Sequence, residues 1–193
     1  MAGLQQPGKK RGPGTGNKYD AAQLFESAVR TLAVRSCSTE DLRAKLRRKA
    51  RTASEVDGVI GRLKEIGYLN DERFAESFAS NRVENDGFGR ARILNDLRTK
   101  RIPPKLAEKA VERALDGRGE AEMLDSFIER KMPSLRAAGP IEDQKVMVRA
   151  YNRLRRAGFS SGGSLAALKR LAARPEELPE EFAEEGVEEG GID

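Results

Sequence analysis

The stretch Gly67–Phe78, GYLNDERFAESF, sets an aspartate beside a glutamate, Asp71 and Glu72, and follows them with Phe74 and Phe78 one helical turn apart. Adjacent carboxylates can do acid–base chemistry, and they can also begin a helix. Asn70 precedes the Phe74/Phe78 pattern, and asparagine is a favoured N-cap. Asp71 and Glu72 then fall in the first turn, where carboxylates meet the positive end of the helix dipole. Tyr68 and Leu69 are expected to pack back onto the core, and Phe74 and Phe78 to occupy the buried face. A catalytic pair needs convergent groups elsewhere in the chain, and none is visible. The stretch reads as the start of a helix.

The same apolar face recurs outward in both directions. Leu24, Phe25, Ala28, Val29 and Leu32 mark one helix; Phe74, Ala75, Phe78, Ala79 and Val83 a second; Met123, Leu124, Phe127 and Ile128 a third. Leu24 and Phe74 are 50 residues apart, and Phe74 and Met123 are 49 apart. A period of this size predicts tandem repeats. Each unit continues with a second helix: DLRAKLRRK (41–49), RILNDLRTK (92–100) and, at a looser interval, YNRLRRAG (151–158). Third helices are expected near 54–66, 103–115 and 161–172, with Pro103 and Pro104 in the first turn of theirs, where a missing amide proton costs little. β-Branched residues never alternate over a useful length, so no strands are expected.

The reading is an all-α chain: a tandem array of three three-helix repeats, elongated and curved. Its segments are a disordered basic N-terminus (1–18), repeats at 19–67, 68–117 and 118–174, and an acidic disordered tail (175–193). Modules of about 50 residues bury little surface alone, so neighbours are expected to stack.

Composition narrows the chemistry. Of 193 residues, 38% are apolar and 35% charged, lean for one deep core. No histidine occurs, which removes histidine-based triads, metal sites and proton relays. Cys37 is the single cysteine, so neither an internal disulfide nor a multi-cysteine zinc site forms. It reads as a small packing residue. No apolar run approaches the roughly 20 residues that span a bilayer, and the first residues show no secretory h-region. A reduced, cytoplasmic setting is expected.

Charge is unevenly placed. Residues 176–193 hold nine acids and no base, so the preceding residues carry net +14, with 36 bases against 22 acids. A basic body predicts a polyanion or an acidic protein surface as partner. The candidate contacts are the basic faces of the second helices. They comprise Arg43, Lys45, Arg47, Arg48 and Lys49, with Arg51 just beyond; Arg90, Arg92, Arg98, Lys100 and Arg101; and Arg149, Arg153, Arg155 and Arg156. Opposite charges seldom balance these helices in sequence, so i,i+4 neutralisation is not expected.

Other motifs carry less. GFGR (87–90) precedes a helix but follows no strand, so it reads as a turn and not a dinucleotide fingerprint. GPGTG (12–16) reads as a linker, and SSGGS (160–164) as a turn with a serine N-cap. Phe88 and Phe159 are candidates for exposure, but aromatics are too few for a base-stacking platform.

Three segments in order, Ser38–Leu46, Gly67–Ala75 and Gly89–Ile102, carry a resemblance to the RecX family of recombination regulators. Its pattern runs from a serine-led EL..KL helix through GYLDD.RFA to G..RI..EL...GI. The resemblance is strong over about 20–115 and weaker to 172. Asn70 stands where the family often has aspartate, the third unit lacks a clear signature, and the acidic tail is outside the pattern.

The resemblance implies tandem three-helix repeats, no enzymatic activity and no cofactor. It implies binding in the groove of the RecA recombinase filament on single-stranded DNA, with inhibition of strand exchange and ATP hydrolysis, and a role in recombination, DNA repair and the SOS response. The expected partners are the filament and single-stranded DNA, direct or within it; no membrane or small-molecule substrate is expected, and the chain is expected to be a monomer. The alternative is a stand-alone helical DNA-binding protein of helix-turn-helix type. Against it, helix 39–50 has neither the asparagine nor the glutamine that usually joins arginine in base readout.

Overall fold

The structure is a computed structural model, and it describes residues 18–137 and 139–177. The expected N-terminal segment and acidic tail fall outside these apart from Lys18 and Pro175–Glu177. The described residues are all-helical; their only β-type pairings are two isolated bridges. The chain divides into two compact units, 1–70 and 71–193.

The first unit holds α1 (Ala21–Val34), α2 (Thr39–Arg47) and α3 (Ala53–Glu65). Each begins on a short polar side chain that satisfies an orphan backbone N–H. Asp20 and Gln23 form a capping box at α1, Thr52 and Glu55 form one at α3, and the Ser38 hydroxyl accepts from the Asp41 amide at α2. Leu24, Ala28, Leu42, Leu46, Val56, Ile60 and Leu63 close the core, with Cys37 buried beside them.

The stretch 67–70 is the stop signal of α3. Gly67 adopts φ +74°, its amide donates to the Lys64 carbonyl (3.0 Å), and the Tyr68 amide reaches the Leu63 carbonyl (2.9 Å). This is a Schellman ending, which favours glycine at the left-handed position. Leu69 folds back into the core as expected, but Tyr68 is 59% exposed. The chain has already turned, so the two neighbours point in different directions.

The second unit holds α4 (Asp71–Asn81), continued by a π-helical turn (Arg82–Asp86), then α5 (Arg90–Thr99), α6 (Pro104–Leu115), α7 (Glu120–Lys131), α8 (Pro133–Ala137), α9 (Gln144–Arg156) and α10 (Ser161–Lys169). The acidic pair begins α4, as its sequence implies. Phe74 and Phe78 are only half-buried, which corrects the expectation that they fill the core. Ala75 and Ala79 take the fully buried positions, in one core with Ala107 and Ala110 of α6. The two rings stack at the edge of that core, 5.8 Å apart. Glu72 pairs with Lys109 (2.7 Å) and Glu76 with Arg113, so two ion pairs tie α4 to α6 beside the small residues.

A second core joins Leu124, Phe127 and Ile128 of α7 to Met147, Tyr151 and Leu154 of α9 and Leu168 of α10; Phe88 and Met123 pack against both cores. Phe159, a candidate for exposure, is 1% exposed and meets Phe127 edge-on at 5.5 Å.

The ends of α5 and α9 share one backbone pattern. Arg101 after α5 and Gly158 after α9 both stand at positive φ. The Gly158 amide donates to the Arg155 carbonyl (2.9 Å) and the Phe159 amide to that of Leu154 (3.3 Å), as the amides of Arg101 and Ile102 donate to Arg98 and Leu97. α6 then begins at Pro104 and α10 at Ser161, so one offset of 57 residues relates both pairs of helices. Tyr19 bridges Ala50 in parallel, and Ile141 bridges Ala172.

Candidate interaction surface

The basic residues of α2 separate into two groups. Arg43 is 25% exposed and is held by Glu40 on its own helix and by Asp57 of α3 at 3.3 Å. Lys49 donates to the Ser27 hydroxyl (3.0 Å) and lies 5.4 Å above the Tyr19 ring, clamping α2 to α1. Arg51 Nε donates to the Lys18 carbonyl (3.1 Å). These three hold the fold. Lys45 is half-buried, and Arg47 and Arg48 face solvent with no carboxylate at ion-pair distance among the described residues.

The same division holds on α5. Arg90 approaches Glu112 at 3.7 Å, and Arg92 pairs with Asp96 at 3.1 Å while covering the Phe88 ring at 5.3 Å. The expectation that carboxylates do not balance these helices is therefore corrected for Arg43, Arg90 and Arg92. Two of the carboxylates, Asp57 and Glu112, come from the following helix and do not show in a single helical stripe.

Arg98 donates to the Asn95 side chain (2.7 Å) and keeps its charge exposed, Lys100 is half-buried, and Arg101 is exposed. On α9, Arg153 donates to the Lys131 carbonyl (2.6 Å), Arg155 to that of Phe159 (2.7 Å) and Arg156 to that of Asn152 (3.3 Å); Arg149 is exposed.

Arg101 is distinctive in its backbone. It is the only described non-glycine residue at positive φ, +58°. Its amide donates to the Arg98 carbonyl (2.8 Å), and the Ile102 amide to that of Leu97 (3.1 Å). This is the same helix ending that Gly67 makes, with arginine at the position where glycine carries no Cβ penalty. The helix end sets the conformation, so the arginine is retained at a conformational cost.

Sequence reasoning missed one cluster. Arg82, in the π-helical turn, pairs with Asp86 (2.6 Å) and lies 3.4 Å from Asp96, which is 15% exposed. Its guanidinium lies 4.8 Å from the Phe78 ring and 5.7 Å from that of Phe88. The cluster pins the π-turn to α5. Its only sequence signal was the spacing of Phe78, Arg82 and Asp86 at four-residue steps. Glu72, half of the opening pair, has its pKa lowered below the usual 4.5, chiefly by the hydrogen bond from Lys109 and then by the charge of that ammonium. A carboxyl held more firmly ionised is an ion-pair member and a poor proton donor near neutral pH.

GFGR is a backbone contact. The Gly89 amide donates to the Ala157 carbonyl (2.8 Å) and the Ala91 amide to that of Gly158 (3.1 Å), so the start of α5 meets the end of α9. Opposite helix-dipole ends are thereby apposed, and these two amides are already engaged. Among the described residues no group of three His, Cys, Asp or Glu side chains is arranged to hold a metal, and no helix is long and apolar enough to cross a membrane.

The described helices thus expose several arginines and use their carboxylates to tie neighbouring helices together. Residues 70–111 match the sequence profile of RecX, second three-helix domain. The Regulatory protein RecX of Syntrophotalea carbinolica is 31% identical over 137 residues, covering 71% of this chain and 88% of that protein. That of Amycolatopsis mediterranei is 30% identical, covering 72% and 77%. The crystal structure of RecX from Lactobacillus salivarius superposes with a TM-score of 0.65 at 18% identity, over 79% of this chain and 96% of that one, a likeness of fold. The chain belongs to the RecX family of regulatory proteins.

Proposed function

We propose that this chain binds the RecA recombinase filament on single-stranded DNA and inhibits its strand exchange and ATP hydrolysis. On this reading the exposed arginines of α2 and α5, above all Arg47, Arg48, Arg98 and Arg101, meet acidic protein surface or DNA phosphates in the filament's groove. Arg149 and Arg156 on α9 are further exposed cations of the second unit. The observation that carries the reading is Arg101. A cation at a left-handed position that favours glycine carries a conformational cost, and strain of this kind collects at functional sites. The family relationship supports the recombinase as the partner.

Binding to RecA filaments and to naked single-stranded DNA, compared at rising salt, tests the proposal. Counterion release makes phosphate binding fall steeply with salt. Complementary protein surface, with apolar contacts beside the charges, loses less. Filament binding that outlasts DNA binding as salt rises supports the proposal. Filament and naked-DNA affinities that fall together would assign the chain to the stand-alone DNA-binding class instead.

A further inference from the structure

A cleft of about 490 Å³ opens in the second unit between α5, α6, α7 and the start of α10. This volume falls within the roughly 300–1,000 Å³ of ordinary ligand sites. Leu94, Leu115 and Met123, all half-buried, line it together with the buried Phe159. Arg90 and Arg118 stand on its rim. Their carboxylate partners are distant, Glu112 at 3.7 Å and Glu84 at 3.9 Å, and all four side chains are about half exposed or more. Such pairs are worth little and exchange readily. Glu120, also in the cleft, is engaged by the Ser160 amide and hydroxyl, both at 2.7 Å. The site therefore asks for an occupant with apolar side chains set among carboxylates.

The chain contains such a segment. LPEEFAEEGVEEGGID (178–193) has Leu178, Phe182 and Val187 spaced among seven acids, with no base. We propose that this segment docks in the cleft of its own chain, with Phe182 and Leu178 on the apolar lining and the flanking glutamates beside Arg90 and Arg118. The tether reaches. Ala172 is pinned to Ile141 and lies 12 residues beyond Ser160 at the cleft, about 18 Å at helical rise. The ten residues from Ala172 to Phe182 span up to ~35 Å. A short tether also gives an effective concentration of order mM, so a modest intrinsic affinity suffices.

The inference stands apart from the recombinase proposal, and its test uses neither recombinase nor DNA. Phe182 is replaced by benzoylphenylalanine in the full-length chain, which is irradiated and mapped by mass spectrometry. The expected result is an intramolecular product on Leu94, Leu115 or Met123. It should be lost when Arg90→Glu and Arg118→Glu are combined, both at exposed sites that leave the apolar lining intact. Products between two copies would make the occupant a neighbouring chain. Products scattered over the surface, or a cleft product indifferent to the charge reversals, would also overturn the proposal.

Discussion

Arg101 and Glu72 show two kinds of charged residue. Glu72 is structural: its carboxylate ties α4 to α6 through Lys109. Its folded pKa lies below the unfolded one, so its contribution is present above the unfolded value and is lost as pH falls through the lowered one. Wild type and Glu72→Gln should differ slightly in denaturation midpoint at neutral pH and converge in acid, below the usual 4.5; a difference that grows on acidification would contradict the ion-pair assignment. Arg101 is costly to the fold. Arg101→Gly should raise stability by about 0.5–1 kcal/mol by relieving the left-handed backbone, read from urea midpoints, while weakening filament inhibition. The sequence disclosed that both residues were charged. It did not disclose their roles, because Lys109 is 37 residues from Glu72 and a dihedral angle leaves no compositional trace.

At the scale of the element, much was legible. The helical faces, the serine cap at Ser160, Pro104 at the head of α6 and the start of α4 at Asp71 follow from local periodicity and capping chemistry. Three features were not. The π-turn at Arg82–Asp86 arises from a tertiary cluster with Asp96 and Phe88. The half-burial of Phe74 and Phe78 follows from the small residues facing α6, which draw that helix close and leave the rings at the edge. The GFGR turn reads as a loop in sequence, yet a Cβ at Gly89 would lie 2.4 Å from the Gly158 carbonyl oxygen. Gly89→Ala forces backbone against backbone. It should cost about 1–3 kcal/mol, the usual range for overpacking, and separate α5 from α9. An unchanged thermal midpoint would show that this junction does not hold the second unit together.

For the whole molecule, the charge balance divides labour among the arginines. Arg43, Arg90 and Arg92 are matched to carboxylates, whereas Arg47, Arg48, Arg98 and Arg101 carry their charge to the surface without an ion-pair partner among the described residues. The sequence placed all of these on the basic faces of the second helices, since the matching carboxylates include residues of neighbouring helices. The central claim is that the second group inhibits the recombinase. RecA-driven strand exchange measures it directly, with the parent protein, Arg47→Glu/Arg48→Glu and Arg98→Glu/Arg101→Glu compared at one salt concentration after each variant is shown to be folded. The parent should inhibit, and each double variant should need about tenfold more protein for the same effect, equivalent to about 1.4 kcal/mol of lost contact. A parent without effect on strand exchange, or charge-reversed variants that inhibit at the parent's concentration, would contradict the account.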